Sequence, residues 1–390
     1  MEGMNAFATT FYYYYLFFFM AREFGFDNRD NLLLSALNGF VYMFAARLGG
    51  RFGQRFGYFA ALSVGFSLMT LALTTGAFMT QWFAQILVLV VWTLGICFTW
   101  ANLAALISEH ETPSELPRTI GIYNVVWAAS GSFAFFCGGA LLEVFGSRAL
   151  FWVPVGLHLT QLLFLIWLKK WSSTSLRASP WLTQRTDGRP PLNPRPISRA
   201  RTFLKLAWLA NPFAYVAINT VVAVIPGISQ RLKLTPTSAG VVCSIWFFAR
   251  LGTFALLWRW HGWHYRLRWF LGAYGLLILG FGAILLVPKL PVLVIAQIGF
   301  GMGLGLIYFS SLFYSMDVGE TKAEHGGVHE SVIGAGIFVG PAIGAATLYL
   351  APDKPNSGAL AVGTLLVLGF VAVIVVALRQ RLAVPVILVE

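Results

Sequence analysis

The stretch FAARLGG, from Phe44 to Gly50, recurs 203 residues later as FFARLGT, from Phe247 to Thr253. Each copy places an arginine, Arg47 or Arg250, inside an apolar run. A buried charge is costly unless it is paired or reaches water. The repeated block therefore suggests a duplicated chain and raises the question of what these two arginines do.

The composition around this block is that of a membrane protein. Of the 390 residues, 58% are hydrophobic and 11% are charged, whereas about 25% of residues are charged in an ordinary soluble domain. Apolar runs long enough to cross a hydrocarbon core of ~30 Å recur along the whole length. We predict an all-α membrane protein with twelve transmembrane helices. The predicted spans are residues 5–24, 31–48, 58–79, 83–108, 119–142, 149–168, 205–229, 238–258, 269–287, 292–315, 329–350 and 358–378.

The net charge of +12 is explained by its placement rather than by nucleic-acid binding. With the N-terminus in the cytoplasm, the predicted cytoplasmic loops and tail hold 19 of the 27 Lys and Arg residues, and the opposite side holds seven. This asymmetry follows the positive-inside rule. It predicts a multi-pass protein of the cell (inner) membrane with both termini in the cytoplasm.

One long polar segment lies between the sixth and seventh spans. Residues 169–203 are rich in Pro, Ser and Arg, and such a composition does not form a core of its own. We interpret this segment as a basic cytoplasmic linker between an N-terminal six-helix bundle, residues 1–168, and a C-terminal six-helix bundle, residues 204–390. It either serves only as a connector or also tethers the chain to anionic lipid headgroups.

A comparison of the two bundles shows an internal repeat. An offset of 206 residues aligns Asn5 with Asn211. The offset is 203 at the FAARLGG block and then returns to 206, which brings small residues into register in the fifth and eleventh spans. The aligned pairs are Gly121 with Gly327, Ser130 with Gly336, Ala134 with Gly340, Gly138 with Gly344, and Gly139 with Ala345. The chain therefore consists of two halves in parallel orientation.

The loop after the second span reads GGRFGQRFGYF, residues 49–59. It resembles the signature of the major facilitator superfamily, which is roughly G-x-x-x-D-R-x-G-R-R. Gly50, Arg55 and Gly57 match this signature, whereas Gln54 replaces its acidic residue and an aromatic pair replaces its final basic pair. The family's charge relay is therefore weakened or moved here. The alternative is a structural hairpin that its arginines hold at the headgroups.

The fifth and eleventh spans carry a second trace of the same superfamily. Its exporters often have G-x8-G-x3-G-P-x2-G-G on the fifth helix; this chain keeps small residues there but has Phe135 in place of the proline. The eleventh span keeps the proline as Pro341, which we expect to kink or loosen that helix. Small residues four apart let helices approach closely in lipid. These helices either pack statically or form the seam along which the halves rock.

Together, the spans, the repeat, the linker and both motifs resemble the superfamily over essentially the whole chain. The resemblance implies that helices 1, 4, 7 and 10 line a central cavity, that helices 2, 5, 8 and 11 lie between the halves, and that substrate binds near the midplane. Polar and aromatic residues on these helices are candidate substrate contacts. They are Tyr12, Tyr13, Trp100, Asn102, Asn124, Trp127, Tyr215, Asn219, Trp246, Arg250, Gln297 and Tyr308. The aromatic residues have packing as their alternative role, and the asparagines have hydrogen bonding between helices.

A second set of candidates concerns gating or coupling. Proton-coupled carriers need a titratable group that the cavity exposes in turn, and we place no carboxylate in the middle of a span. The best candidates therefore lie near the cytoplasmic helix ends and in the two motifs. They are Arg47, Gly50, Gln54, Arg55, Gly57, Glu109, His329, Glu330 and Pro341. Capping of helix ends is the alternative role of the acidic residues.

The two repeated arginines differ in their distance from the membrane surface. Arg47 can extend to the headgroups, whereas an apolar stretch separates Arg250 from the next arginine, Arg259. We hypothesise that Arg250 faces the inner cavity with Arg47 as its counterpart. Either arginine would attract an anionic group of the substrate or lock the cytoplasmic gate through Glu109 or Glu330.

The sequence contains no motif that indicates catalysis. It has no nucleotide-binding loop and no metal-spaced His or Cys cluster, so we expect no cofactor, no metal and no enzyme activity. We predict a secondary transporter of a small organic solute, anionic or amphipathic, that works by alternating access on the solute's own gradient or a proton gradient. The alternatives are a passive facilitator, a non-transporting membrane sensor, or a protein that moves lipids. The predicted partners are the small-molecule substrate and the lipid bilayer, without nucleic acid, and we expect a monomer.

Overall fold

The computed structural model describes residues 1–108, 115–177, 197–287, 289–317 and 323–382. Within these ranges the regular structure is helical, and no β-strand occurs in them. Eleven helical segments of the described residues are long and apolar enough to cross a membrane. The all-α membrane fold that the sequence predicts is therefore confirmed.

The first half forms six membrane segments from seven helices. These are α1 Glu2–Phe24, α2 Asn28–Phe56, α3 Tyr58–Gly76, α4 Trp82–Cys97, α5 Trp100–Ser108, α6 Leu116–Phe145 and α7 Ala149–Arg177. α1 is not among the eleven apolar segments, because its consecutive tyrosines lower its mean hydropathy. Its 23 residues nevertheless reach about 35 Å at 1.5 Å per residue, which is enough to cross the bilayer.

The second half repeats this arrangement. Its helices are α8 Ile197–Arg231, α9 Pro236–Cys243, α10 Ile245–Arg259, α11 Leu267–Leu286, α12 Leu290–Asp317, α13 Ala323–Leu350 and α14 Ser357–Leu382. A 3-10 turn, His261–Trp263, connects α10 to α11. Helices α7 and α8 extend into both ends of the predicted linker, and residues 178–196 of that linker lie outside the described residues.

The helix ends follow from local sequence signals. Gly25 ends α1 in the left-handed conformation, and Asp27 then caps α2 in a reciprocal capping box with Asp30. Gly57, in the family loop, has φ 90° between α2 and α3. A residue with a Cβ rarely adopts such a φ, so the glycine permits the sharp turn that the loop needs.

Two of the predicted spans are each divided into two helices. The fourth span divides into α4 and α5 near Phe98, and the eighth divides into α9 and α10 at Ser244. Both divisions interrupt apolar sequence, so hydropathy alone does not reveal them. α13, by contrast, continues through Pro341.

Glycines bring the two halves into close contact. α2 packs extensively against α13, and α6 packs against α9 and α10. A Cβ added at Gly39 would overlap the backbone of Phe338, and one added at Gly139 would overlap the backbone of Pro236. These are the helices that the resemblance places between the halves, and their small residues lie where backbones meet.

Candidate substrate site between the two halves

Arg250 lies in an aromatic enclosure between the halves. Its side chain belongs to α10 and the residue is 3% exposed. The guanidinium carbon lies 4.4 Å from the ring centroid of Trp127 on α6, 4.5 Å from that of Phe247 and 5.2 Å from that of Trp246. The predicted residues Trp127, Trp246 and Arg250 therefore form one cluster with contributions from both halves.

The hydrogen-bonding capacity of this arginine is not satisfied. Its Nε and Nη2 atoms are buried without a hydrogen-bond partner. Among the described residues the ion pairs are Arg22 with Glu23 and Arg29 with Asp30, so none involves Arg250. Aromatic faces contribute up to about 2 kcal/mol to a desolvated cation, but they accept no conventional hydrogen bond. The enclosure therefore holds a cation whose donors are available to an anionic ligand.

More aromatic side chains surround this cluster. Tyr308 on α12 stacks on Trp127 with ring centroids 5.5 Å apart and an interplanar angle of 24°. Tyr14 on α1 packs 5.5 Å from Phe247. The hydroxyl groups of Tyr14, Tyr215 and Tyr308 lie within electrostatic range of the guanidinium. The surroundings of Arg250 are thus apolar rings with phenolic groups among them.

A second contact between the halves joins α1 to α8. The hydroxyl of Tyr13 donates to the side-chain oxygen of Asn219 at 3.1 Å and shares a 3.1 Å hydrogen bond with Ser35 on α2. Tyr13 and Asn219 are 206 residues apart, which is the offset of the repeat. A contact between equivalent positions lies close to the axis that relates the halves. These two predicted residues therefore lie near the axis between the halves.

A third contact lies nearer the end where α2 terminates and α13 begins. The hydroxyl of Tyr42 on α2 donates to Oε2 of Glu330 on α13 at 2.6 Å. The ring of Trp100 lies 6.4 Å from that of Tyr42. Glu330 is partly buried, and its observed partner is thus a neutral hydroxyl of the opposite half.

Several predicted contact residues bind within their own half. Tyr12 packs between Trp92 and Phe151. The amide of Asn102 donates to the carbonyls of Gly49 and Phe98. Asn124 donates to Ile120 on the same helix, and Gln297 donates to Val242. These four side chains therefore make contacts within or between helices of their own half, and they are not part of the Arg250 cluster.

The predicted gating residues of the family loop lie at the end of α2. Arg47, Gln54 and Arg55 are exposed, and the Arg55 guanidinium lies 5.2 Å from the Phe56 ring centroid. Gly50 belongs to the last turns of α2, where the adjacent Gly49 touches α4.

Two further gating candidates lie outside this loop. Glu109 lies outside the described residues. His329 belongs to α13, and its side chain is not described.

Sequence reasoning left three residues near these contacts unassigned. Tyr14 borders the arginine cluster, Tyr42 binds Glu330, and Glu2 on α1 is a buried carboxyl group that faces Tyr123 on α6. The run of four tyrosines includes Tyr14 but does not reveal which ring faces the other half. A carboxylate at the start of the first apolar run was the available signal for Glu2.

A groove on the outer surface is separate from this site. It has a volume of ≈ 770 Å³ and lies between α2 and α13, where its lining includes Leu33, Phe40, Phe338 and Tyr349. The lining is mainly apolar and the groove is open to the side. Arg250 is not part of its lining.

Comparisons with known proteins agree with this architecture. The sequence matches the Major Facilitator Superfamily over residues 2–341. The nucleoside transporter NupG, solved as a D323A mutant, has a similar structure with a TM-score of 0.64 and 13% identity, covering 97% of this chain and 98% of NupG. A bacterial homologue of the human drug peptide transporters PepT1 and PepT2 has a TM-score of 0.67 and 15% identity, covering 98% and 97% of the two chains. No curated protein matches the sequence significantly.

At these identities the two structures show a shared fold and not a shared substrate. The sequence match, in contrast, extends over most of the chain and includes both halves. It indicates a transporter and not an enzyme. The chain therefore belongs to the Major Facilitator Superfamily and is a multi-pass membrane protein with the fold of that family's transporters.

Proposed function

We propose that the chain moves a small organic anion across the cell's inner membrane by alternating access. The observation that carries this proposal is the buried, unpaired guanidinium of Arg250 between the halves. A guanidinium binds a carboxylate through paired N–H donors, so a bound anion would supply the missing acceptors. The enclosing rings favour a solute whose remaining body is apolar or ring-bearing.

Contacts on both sides of Arg250 support alternating access. Toward one end, the backbone N–H and hydroxyl of Thr237 on α9 donate to Glu143 on α6 at 3.1 and 2.6 Å. Toward the other end, Tyr42 donates to Glu330. A rocking motion that breaks one set while the other holds would open Arg250 to each side in turn. One chain supplies both walls of the site, so a monomer suffices.

Glu330 is our candidate for coupling to protons. A charged carboxylate accepts a stronger hydrogen bond than a neutral carboxyl group does. Protonation of Glu330 would therefore weaken its bond to Tyr42 and loosen the halves at that end. In this scheme, proton uptake favours opening toward the side on which α2 ends, and the asymmetry of Lys and Arg supports a cytoplasmic location for that side.

Uptake into proteoliposomes tests this function. Labelled aromatic and aliphatic carboxylates are compared with their uncharged amides, with and without a pH gradient, and protein-free liposomes provide the background. We expect uptake of at least one carboxylate but not of its amide, accompanied by proton movement. Uptake of neutral solutes alone would overturn the assignment of an anion. Anion uptake without proton movement would indicate passive facilitation, and no uptake would favour a sensor.

A further inference from the structure

The connection between α10 and α11 has an unusual sequence, WRWHGWHYRLRW, from Trp258 to Trp269. It contains four tryptophans and three arginines and no acidic residue. Acidic residues are in fact absent from the whole stretch 189–316. This connection lies at the same end of the bundle as the family loop after α2, but it shares none of that loop's glycine pattern.

Six aromatic and basic side chains of this connection are exposed, and we name this set the Trp/Arg platform. Its members are Trp258, Arg259, Trp260, Arg266, Arg268 and Trp269. The rings of Trp260 and Trp269 meet edge to face, with centroids 5.0 Å apart, although they come from opposite sides of the connection. The Arg268 guanidinium lies 5.6 Å from the Trp269 centroid. Two of its exposed rings and one exposed guanidinium group therefore lie side by side.

Two buried residues, Trp263 and Tyr265, make hydrogen bonds that hold the backbone beneath the platform. Trp263 is 1% exposed, and its indole N–H donates to the carbonyl of Leu257 at 3.2 Å. Tyr265 has φ 55°, and its backbone N–H donates to the hydroxyl of Tyr314 at 3.1 Å. A non-glycine residue with such a φ persists only where its surroundings determine it. The backbone of the connection is therefore anchored at Trp263 and Tyr265 beneath the platform.

The position and the charge of the platform indicate what kind of molecule it binds. It joins the ends of two membrane-spanning helices, so it lies where hydrocarbon gives way to headgroups, and exposed tryptophans prefer that level. The ion pairs among the described residues include none of its three arginines. Basic side chains at this level attract anionic lipids. We propose that the Trp/Arg platform binds the phosphate-bearing headgroup of an anionic phospholipid, which makes it a lipid site separate from the transport site.

Retention of lipid by the intact protein tests this site. The protein is reconstituted with equal amounts of phosphatidylglycerol and phosphatidylcholine, extracted gently, and its bound lipids are counted by native mass spectrometry. The platform variant Arg259→Ala/Arg266→Ala/Arg268→Ala is compared with Arg47→Ala/Arg51→Ala/Arg55→Ala, which removes three exposed arginines at the same end of the bundle. Both variants lose the same charge, so general attraction falls equally in both.

We expect the wild type to retain phosphatidylglycerol preferentially. The platform variant should lose this preference by at least about tenfold, since each basic residue near the surface contributes several-fold to anionic lipid binding, whereas the comparison variant should keep most of it. Equal retention of the two lipids by the wild type would overturn the proposal. So would an equal loss in both variants, which would show a response to total charge. A double variant, Trp260→Ala/Trp269→Ala, should weaken retention of both lipids while the preference remains.

Discussion

The two copies of the repeated block place their arginines in opposite environments. Arg47 on α2 is exposed, whereas Arg250 on α10 is buried. In α2 the block buries Ala45, Ala46 and Gly49, while in α10 it buries Phe247, Arg250 and Thr253. The same residue type at the same repeat position is therefore a surface charge in one half and the centre of the candidate site in the other.

The neighbouring helices explain this difference. α2 runs against α13 at glycine contacts, and such close packing admits only small side chains. α10 lies against α6 and α12, where Trp127 and Tyr308 provide large flat surfaces that a guanidinium can stack on. Duplication thus determines which helix carries an arginine, and the packing partner determines which face of that helix is buried.

The largest expected effect is the difference in uptake between substitutions at the two arginines. Arg250→Ala should lower the initial rate of anion uptake by about 10- to 100-fold, because it removes a charge-assisted pair of hydrogen bonds to the solute. Arg250→Lys should recover part of the rate, since it keeps the charge but loses the planar fork. Arg47→Ala should stay within about twofold of the wild type. Equal losses at the two positions, measured in proteoliposomes, would contradict the contrast between them.

The next largest effect concerns the close packing of α2 against α13, which leaves Arg47 on the exposed face of α2. Gly39→Ala places a methyl group against the backbone of Phe338, and we expect such overpacking to lower the free energy of unfolding by about 1–3 kcal/mol. Gly156→Ala on α7 is the matched control, because nothing lies within 4 Å of its added Cβ. Thermal unfolding in detergent measures both. A control that loses as much stability as Gly39→Ala would argue against a tight seam at α2.

A smaller effect is expected where the halves differ in charge. Asn124 lies 206 residues before Glu330, so the first half carries an amide where the second carries an acid. The substitution Glu330→Gln gives both halves a side-chain amide at this repeat position. Because an amide takes up no proton and makes only a neutral hydrogen bond to Tyr42, we expect accumulation driven by a pH gradient to fall by about tenfold. Exchange of labelled for unlabelled solute needs no net proton movement and should persist; unchanged accumulation would exclude Glu330 from coupling.

The sequence predicted the fold well because the fold depends on hydropathy and repetition. Runs of apolar residues located the spans, and the offset of 206 residues related the halves. The divisions at Phe98 and Ser244 escaped prediction, because both interrupt apolar sequence. Hydropathy reports how far a segment can reach through lipid and not whether its helix is continuous.

The candidate site was less predictable, because it depends on which faces meet. Arg250 drew attention by its charge within an apolar run. Nothing in the sequence indicated that Trp127, from a helix in the other half, would stack on it. The tyrosine run shows the same limit: Tyr12 packs inside the first half, Tyr13 reaches Asn219, and Tyr14 borders the arginine cluster.

The smallest expected effect lies where the two halves meet at equivalent positions. Tyr13→Phe removes the hydroxyl that bonds Asn219 and Ser35. Hydrogen bonds between membrane helices contribute about 0.6 kcal/mol on average, so we expect a loss of that order in the free energy of unfolding and at most a threefold change in uptake.

Tyr12→Phe is the matched control for this bond, because the Tyr12 hydroxyl is buried without a hydrogen-bond partner. Its removal should be neutral or slightly stabilising, since an unpaired buried polar group is itself unfavourable. If Tyr13→Phe costs no more than Tyr12→Phe in the same unfolding measurement, the bond on the axis does not hold the halves together. The connection between them would then rest on the glycine seam and the contacts at its two ends, and the exposed and buried arginines would differ for reasons of helix packing alone.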